Sequence, residues 1–328
     1  MPWSSSNSHF GPNCNRDEGG SQRPLAAAPV ILAVLPPQAR YTRIIILMIR
    51  NEVSDVPIIA AIQMVSGPSI AENLAATAEL LAQAATHGAK LAVLPENFAL
   101  MGQRESDKLA VRETEGDGPI QAFLAEQAAR HRLWLVGGTI PLRVAGDDDR
   151  VHAACLLYDD QGRQAARYNK VHLFDVQVVG SAERYAESAT IAPGDRYVVA
   201  DTPLGRLGLA VCYDLRFPEQ FRVLVDQGME ILALPAAFTA TTGLAHWETL
   251  LRARAIENQC YVIASAQGGK HANGRETYGD SLIIDPWGVV LNRLPQGPGV
   301  VLAEFDRERL ESVRQQFPAL EHRAHCAV

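Results

Sequence analysis

The chain has 328 residues, of which 47% are apolar and 20% are charged, and its formal net charge at pH 7 is −7. These proportions are typical of a folded globular protein and exclude a wholly disordered chain, a collagen and a coiled coil. The acidic balance predicts no nucleic-acid or membrane partner. The five cysteines are odd in number and form no CxxC pair. Neither a disulfide framework nor a zinc site is therefore predicted, and a reducing, cytoplasmic location is expected.

The N-terminal segment differs in composition from the rest of the chain. Residues 1–23 are rich in Ser, Asn and Gly and have no apolar periodicity, so they bury too little surface to offset the entropy of ordering. The apolar runs at 25–35 and 44–49 have 11 and 6 residues, whereas roughly 20 are needed to cross a bilayer. Residues 1–56 are predicted to be a disordered or mis-started tail. A single folded domain is predicted over 57–318, with a short C-terminal tail at 319–328.

From residue 57 onward, segments typical of strands alternate with segments typical of helices. The first helix is well marked, because Ser69 and Glu72 have the spacing of a capping box and Gly88 follows as a stop signal. No Gly-, Ser- or Pro-rich linker interrupts the alternation, which predicts one layered α/β domain. Strands are predicted at 58–65, 91–94, 133–138, 152–158, 165–171, 206–212, 230–234, 261–265, 280–285, 288–292 and 300–305. Helices are predicted at 69–87, 119–132, 218–227, 245–259 and 307–316.

Three of the predicted strands lead to a reactive side chain. The segment LAVLP leads to Glu96, RYN leads to Lys170, and LGLAV leads to Cys212. Sites in open α/β sheets gather at the carboxyl ends of the strands. A carboxylate, an ammonium group and a thiol are therefore predicted to converge.

Cys212 differs from the other internal cysteines in what surrounds it. Cys155 and Cys260 lie in or beside apolar segments and are expected to be buried, inert thiols. Cys212 is followed by a polar turn and the start of a helix. A thiol at such a corner is expected to have a lowered pKa, with backbone N–H groups aimed at a developing oxyanion. The alternative, a small hydrophobic residue in the core, stays open.

The charged candidates also have two interpretations each. Glu96 lies between Pro95 and Phe98, so it is expected to be desolvated, with a raised pKa suited to a general base. Lys170 near a carboxylate and a thiol would be a fixed cation for a tetrahedral intermediate. Glu187 would be a second carboxylate that orients an amine or water. The alternatives are solvated loop acids for the glutamates and a surface cation for Lys170.

The three segments together resemble the nitrilase, or carbon–nitrogen hydrolase, superfamily over residues 57–318. The matching motifs are LAVLPENF, RYNKVHLFD and GLAVCYDLRFPE. The resemblance implies an αββα sandwich that pairs into a homodimer or a higher homo-oligomer, with no metal and no organic cofactor. It also implies that Glu96 is the general base, Lys170 the oxyanion-stabilising cation, Cys212 the nucleophile and Glu187 a supporting glutamate.

The second half of the chain resembles the Nit branch of that superfamily, which contains deaminated glutathione amidases and ω-amidases. The stretches that carry this resemblance are residues 235–271 and YGDSLIIDPWG at 278–288. They imply hydrolysis of a small carboxylated amide to an acid and ammonia through a thioester. Deaminated glutathione is the expected substrate, and α-ketoglutaramate-type amides are the alternative. A catalytically silent scaffold that binds a partner is a further alternative.

The resemblance also implies a binding group for a carboxylate on the substrate. Arg216 is expected to pair with a keto-acid carboxylate, because a guanidinium binds carboxylates bidentately. A salt bridge from Arg216 to Asp214 or Glu219 is the open alternative. Three more residues are assigned to the substrate site: Tyr213, Phe238 and Thr242.

Overall fold

The computed structural model describes residues 56–179 and 183–324. Most of the predicted N-terminal tail, and the end of the predicted C-terminal tail, lie outside these residues. The strands are β1 (Ile58–Gln63), β2 (Ala89–Val93), β3 (Trp134–Val136), β4 (Ile140–Val144), β5 (Asp147–Tyr158), β6 (Gln164–Asn169), β7 (Asp175–Gln177), β8 (Arg184–Ala186), β9 (Val198–Thr202), β10 (Gly205–Leu209), β11 (Ile231–Ala236), β12 (Tyr261–Ala266), β13 (Ser281–Ile284), β14 (Val290–Leu294) and β15 (Gly299–Glu304). The helices are α1 (Ile70–Thr86), α2 (Asp107–Ala110), α3 (Pro119–His131), α4 (Pro218–Asp226), α5 (Ala240–Asn258) and α6 (Arg307–Gln316), with 3₁₀ turns at Glu187–Ala189 and Cys212–Arg216.

The strands form two large sheets and a small hairpin. The first sheet has the order β15-β1-β2-β3-β5-β4, with β6 paired to β5, and the second has the order β14-β13-β12-β11-β10-β9. At the centre of each sheet the strands are parallel: β1, β2 and β3 in the first, and β10, β11 and β12 in the second. Parallel strands end at the same edge of a sheet, so the loops after β2 and β10 can contribute to one site. The hairpin consists of β7 and β8.

Alternation along the central strands sets the layers. Ile59 and Ala61 of β1 belong to a core shared with the second sheet, for example with Leu207. Their neighbours Ala60 and Ile62 belong to a separate core under α1 and α3. Strands buried on both faces explain the nearly continuous apolar segments that the sequence shows.

The second sheet is covered on its outer face by α4 and α5. Phe221 of α4 and Trp247 and Leu251 of α5 are fully buried in the same core as the strands. The order of layers is therefore helix, sheet, sheet, helix. This confirms the αββα sandwich that the sequence resemblance implies.

The structure also contains strands that the sequence pattern does not predict. β4 carries Pro141, which lacks a backbone N–H and is a break signal, but β4 lies at an edge of its sheet, where proline is tolerated. β9 is likewise an edge strand. Helix α5 begins at Ala240 rather than at 245, because the Thr239 hydroxyl accepts a 3.2 Å hydrogen bond from the backbone N–H of Thr242. In the residues that the structure describes, no helix is both long and apolar enough to cross a membrane.

Candidate active site

The three reactive side chains predicted from the sequence lie together at the base of one pocket. Lys170 directly follows β6, Glu96 lies three residues beyond β2, and Cys212 begins the 3₁₀ turn after β10. The exposed fractions are 4% for Glu96, 1% for Lys170 and 8% for Cys212. Burial of two charged groups is stable only when they are paired, and here they pair with each other.

The ammonium group of Lys170 lies between two carboxylates. Its Nζ is 2.9 Å from Oε1 of Glu96, 2.8 Å from Oε1 of Glu187 and 2.9 Å from Oε2 of Glu187. Glu187 starts the 3₁₀ turn after the hairpin, and its Oε2 also accepts a 2.6 Å hydrogen bond from the backbone N–H of Phe174. The structure therefore brings all four of the sequence-predicted reactive residues into one network.

The protonation states of the network follow from burial and charge. Burial would raise the pKa of Glu96, but the charge and hydrogen bond of Lys170 outweigh it and hold that pKa below its ordinary value. Burial would lower the pKa of Lys170, but Glu187 and Glu96 raise it well above its ordinary value. The expectation of a raised pKa for Glu96 is therefore wrong, because the sequence does not show that Lys170 forms a direct 2.9 Å ion pair with this carboxylate.

The thiol also departs from the expectation. Burial and the negative charge of Glu96 raise the pKa of Cys212 well above its ordinary value, although Lys170 opposes them. The predicted lowering of this pKa is wrong, because the buried carboxylate outweighs the helix corner. The empty site thus holds a carboxylate at Glu96, an ammonium at Lys170 and a neutral thiol at Cys212.

Cys212 has an unusual backbone conformation. Its φ angle is +49°, in the left-handed region that non-glycine residues seldom adopt. The adjacent Val211 N–H donates a 2.8 Å hydrogen bond to Oδ2 of Asp214, which holds the turn from below. The backbone of Ala237 acts on this thiol in the direction of a lower pKa, against burial and Glu96. Such strain at a reactive group indicates a position fixed by its surroundings.

Asp214 is the centre of this support. It is fully buried, and besides the N–H of Val211 it accepts hydrogen bonds from the Tyr168 hydroxyl at 2.6 Å and from the backbone N–H of His172 at 3.1 Å. Nδ1 of His172 lies 2.7 Å from Oδ1 of Asp214, and the His172 ring stacks on Phe217 with centroids 3.7 Å apart. The strand end that carries Lys170 and the turn that carries Cys212 are therefore joined through one carboxylate.

The pocket above this network has a volume of about 550 Å³. The four residues assigned to substrate binding all line it: Tyr213, Arg216, Phe238 and Thr242. The guanidinium of Arg216 lies over the rings of Phe238 and Tyr213, at 5.1 and 5.9 Å from their centroids. Its Nη1 is 3.1 Å from Nδ1 of His246.

Arg216 has no carboxylate partner among the described residues. Asp214 is instead bonded to Tyr168 and His172, and Glu219 forms no ion pair with Arg216. The alternative interpretation of Arg216 as half of a surface salt bridge is therefore wrong. The pocket wall instead presents an unpaired cation.

The carbon–nitrogen hydrolase family profile matches residues 58–315. The chain belongs to this family. It is 47% identical over 266 residues to the deaminated glutathione amidase of Synechocystis sp., an alignment that covers 80% of this chain and 97% of the relative. It is 39% identical over 273 residues to the human deaminated glutathione amidase, with 82% of this chain and 83% of the relative covered. The crystal structure of yeast Nit3, a member of branch 10 of the nitrilase superfamily, is 29% identical and has a TM-score of 0.74, covering 83% of this chain and 98% of that one.

Membership of the carbon–nitrogen hydrolase family confirms the sequence resemblance, and the chain is an amidase-type hydrolase. The arrangement found here has the side-chain types that thiol-dependent acyl transfer uses: a thiol, a carboxylate and an ammonium group. In residues 56–179 and 183–324, no group of three or more His, Cys, Asp or Glu side chains is placed to hold a metal ion.

Several pocket residues were not found by sequence reasoning. They lie in loops or in very short elements, where no periodic pattern marks them: Glu105, Lys108, Phe174, Tyr185 and Arg275. Arg275 lies with its guanidinium 5.2 Å from the centroid of the Tyr185 ring, and its Nη2 donates a 2.7 Å hydrogen bond to the carbonyl of Ala237. Asp214 was considered only as a partner for Arg216, and nothing in the sequence shows its contact with Tyr168.

Proposed function

We propose that this carbon–nitrogen hydrolase cleaves deaminated glutathione, the substrate named for its relatives in Synechocystis and human. The observation that carries the proposal is the unpaired Arg216 beside Cys212 on the pocket wall. A buried or half-buried guanidinium without a counter-charge favours a planar anion, and a carboxylate is the anion that fits its fork bidentately. The keto-acid end of deaminated glutathione supplies that carboxylate.

The first half of the proposed reaction makes a thioester. Glu96 takes the proton of the Cys212 thiol while the sulfur attacks the amide carbonyl carbon. The oxyanion of the tetrahedral intermediate is held by Lys170 Nζ and by the backbone N–H of Tyr213. Glu96 then returns the proton to the amide nitrogen, the C–N bond breaks, and the amine leaves. With deaminated glutathione that amine is cysteinylglycine. The ammonia expected from the sequence leaves only from a primary amide.

The second half releases the acid. Glu96 takes a proton from a water molecule as its oxygen attacks the thioester carbon, and the C–S bond of the new tetrahedral intermediate breaks. The proton held by Glu96 goes to the departing sulfur, which restores the thiol of Cys212. Glu187 accepts two N–H groups of Lys170 throughout, which keeps the ammonium aimed into the pocket.

The pKa values of Glu96 and Cys212 determine when the proton moves relative to carbon–sulfur bond formation. Because the pKa of Glu96 is lowered and that of Cys212 is raised, the thiol keeps its proton before substrate binds. Proton transfer to Glu96 therefore accompanies carbon–sulfur bond formation rather than preceding it. The resting thiol is thereby protected from unselective reaction, since only the thiolate is strongly nucleophilic.

The test is a substrate panel with the full chain: deaminated glutathione, α-ketoglutaramate, a neutral primary amide and a nitrile. We expect kcat/KM for deaminated glutathione to exceed that for every other compound by at least about tenfold. Release of 2-oxoglutarate is the readout for deaminated glutathione. Equal or higher efficiency on α-ketoglutaramate would assign the chain to the ω-amidases instead. No turnover of any compound, with Cys212→Ser as the blank, would indicate a silent scaffold.

We also propose that the chain forms a homodimer. The supporting feature is an apolar patch near the outer side of α5, made of Ile256, Trp287 and Phe317, whose exposed fractions are 49%, 54% and 56%. Ile256 lies against Gly288, and the rings of Trp287 and Phe317 meet with centroids 5.8 Å apart. Exposed apolar patches of this kind mark interaction surfaces. Sedimentation should give twice the mass of the chain, and Trp287→Glu should halve it. A monomeric wild type would refute the proposal.

A cytoplasmic location belongs to the same proposal. The three cysteines of the described residues, Cys155, Cys212 and Cys260, are all free thiols. Thiols persist in reducing compartments. Cell fractionation tests this expectation, and recovery in a secreted fraction would contradict it.

A further inference from the structure

Arg275 is a second guanidinium on the pocket wall, and no carboxylate of residues 56–179 and 183–324 pairs with it. Of the five N–H donors that an arginine carries, the structure gives one an acceptor, the carbonyl of Ala237. Nε is buried and has no hydrogen-bond partner among the described residues. Its flat face is covered by the ring of Tyr185. An anchored guanidinium with unused donors that lines a pocket is suited to bind an anion.

Arg216 and Arg275 have different side-chain neighbours, although Arg275 binds the carbonyl of Ala237 and Arg216 lies over the ring of Phe238, the next residue. Arg216 contacts residues of the Cys212 turn and of α5, including His246. Arg275 contacts the β7–β8 hairpin through Tyr185, on the side of the pocket that also contains Glu105. They share no contacting side chain, although both line the same pocket. One ligand with two separated anionic ends could therefore engage both.

Deaminated glutathione has this pattern of charge. A keto-acid carboxylate lies at one end, the carboxylate of glycine lies at the other, and the scissile amide lies between them. α-Ketoglutaramate has only the first carboxylate. The number of anionic ends thus separates the two candidate substrates. Among the described pocket residues, Arg216 and Arg275 are two cations without a carboxylate partner.

We infer that Arg275 binds the glycine carboxylate of the cysteinylglycine leaving group, while Arg216 binds the keto-acid carboxylate. This inference rests on the proposed function and deepens it. Arg275 is then the residue that selects a dipeptide amide over a primary amide. The contact of Arg275 with Ala237 sets its position next to the backbone that faces Cys212.

The experiment compares deaminated glutathione with its C-terminal carboxamide, in which the glycine carboxylate is replaced by a neutral amide. In the wild type, kcat/KM should fall about 10- to 100-fold on the carboxamide, the loss expected for a charge-assisted contact. In Arg275→Gln, the acid and carboxamide forms should differ by less than about threefold, because the partner of the carboxylate is gone. Arg275→Lys keeps the charge but loses the planar fork. Its ratio of kcat/KM on the acid to kcat/KM on the carboxamide should lie between the ratios of the wild type and Arg275→Gln.

Arg216→Lys is the matched control. All substrates that carry the keto-acid carboxylate, including the carboxamide and α-ketoglutaramate, should lose efficiency on it to a similar extent. A purely structural role of Arg275 through Ala237 predicts the same uniform loss for Arg275→Gln, and that result would overturn the inference. The acid-against-carboxamide comparison on the wild type needs no variant, so it can overturn the inference even if Arg275→Gln does not fold. The intermediate result for Arg275→Lys then assigns the contact to this residue.

The outcomes also separate this inference from the proposed function. Efficient wild-type turnover of deaminated glutathione with an equally good carboxamide would overturn the role of Arg275 and leave the function standing. Failure of the wild type to hydrolyse deaminated glutathione, with activity on α-ketoglutaramate retained, would overturn both.

Discussion

The hydroxyl of Tyr168 donates a 2.6 Å hydrogen bond to Oδ2 of Asp214. Tyr168 lies on β6 of the first sheet, two residues before Lys170, and Asp214 lies two residues after Cys212 beside the second sheet. Both side chains are fully buried. A polar contact between the two sheets therefore sets the position of the cation relative to the nucleophile.

Asp214→Asn should weaken both the fold and the reaction. An amide nitrogen cannot accept a hydrogen bond, so a buried donor among Tyr168, Val211 and His172 would lose its partner, at a cost of about 1–3 kcal/mol. The melting temperature and kcat should both fall. Thermal unfolding and steady-state kinetics measure the two effects. Glu219→Gln, at an exposed position of the following helix, is the control and should change neither. If Asp214→Asn is as stable as the wild type, Asp214 does not support the turn that carries Cys212.

Cys212→Ser should abolish turnover and leave the fold intact. The change is nearly isosteric, but a hydroxyl is a much weaker nucleophile than a thiol, so the rate should fall by about a thousandfold or more. Mass spectrometry of an acyl-enzyme trapped during turnover should locate the adduct on Cys212. Cys260→Ala is the matched control, because that thiol is fully buried and does not line the pocket. An adduct on Cys155 or Cys260, or a tenth of the wild-type rate in Cys212→Ser, would contradict the assignment.

Glu96→Gln should make the thiol more reactive toward alkylating agents while it destroys catalysis. The negative charge of Glu96 raises the pKa of Cys212, and the charge of Lys170 opposes it. Removing this carboxylate takes a negative charge away from the thiol, whereas the ammonium stays in place on Glu187. The thiolate fraction at neutral pH therefore increases. The rate of Cys212 modification by iodoacetamide, read by mass spectrometry, measures this. Slower alkylation than in the wild type would show that Glu96 promotes thiolate formation even without substrate.

On the acid side of the pH profile, kcat/KM should fall only at low pH. The reaction needs Glu96 as a carboxylate, and its pKa is lowered from the ordinary 4.5. Activity should therefore be retained as the pH falls toward 5 and should decline only below 4.5. The pKa values of Lys170 and Cys212 are both raised, so no alkaline loss is expected below pH 9. The measurement is kcat/KM against pH, with circular dichroism at each pH to separate unfolding. A midpoint near 6 would show that burial outweighs Lys170.

Arg216→Lys should reduce the use of carboxylated amides. Lysine keeps the charge but loses the planar fork, so kcat/KM should fall roughly tenfold to a thousandfold, the range for a lost charge-assisted contact. A neutral amide should react poorly with both enzymes and differ little between them. Equal losses on charged and uncharged amides would mean that Arg216 only supports the Cys212 turn. Full activity on deaminated glutathione would remove the residue from substrate recognition.

Much of the fold is predictable because the central elements are marked by local chemistry. The helix after Ser69 begins at its cap and ends before Gly88, as its sequence predicts. The last helix occupies residues 307–316 as predicted, and Asp306 caps it. The edge strand β4 escapes prediction because Pro141 is read as a break when its neighbours in space are unknown. The pairing of β9 with β10 is likewise invisible until both strands are placed.

The site divides in the same way. Residues that follow a strand in a distinctive motif, such as Glu96, Lys170 and Cys212, were found from sequence. The directions of the pKa shifts of Glu96 and Cys212 were not, because each is a balance between burial and the neighbouring charges. Arg275 also escaped, since it lies in a loop and becomes informative only when Tyr185 and the pocket are seen beside it.

The left-handed backbone of Cys212 has a consequence for the evolution of this enzyme. A side chain held at a φ of +49° costs the fold about 1–2 kcal/mol, and glycine would escape that cost. The nucleophile thus makes the protein less stable than an inactive version of itself. At an ordinary strand or helix position, glycine is less stable than alanine by about 0.5–1 kcal/mol. At position 212 the stability advantage of Cys212→Ala over Cys212→Gly should be smaller than this or of the opposite sign. Substitutions that make the protein more stable at this position therefore lead away from activity.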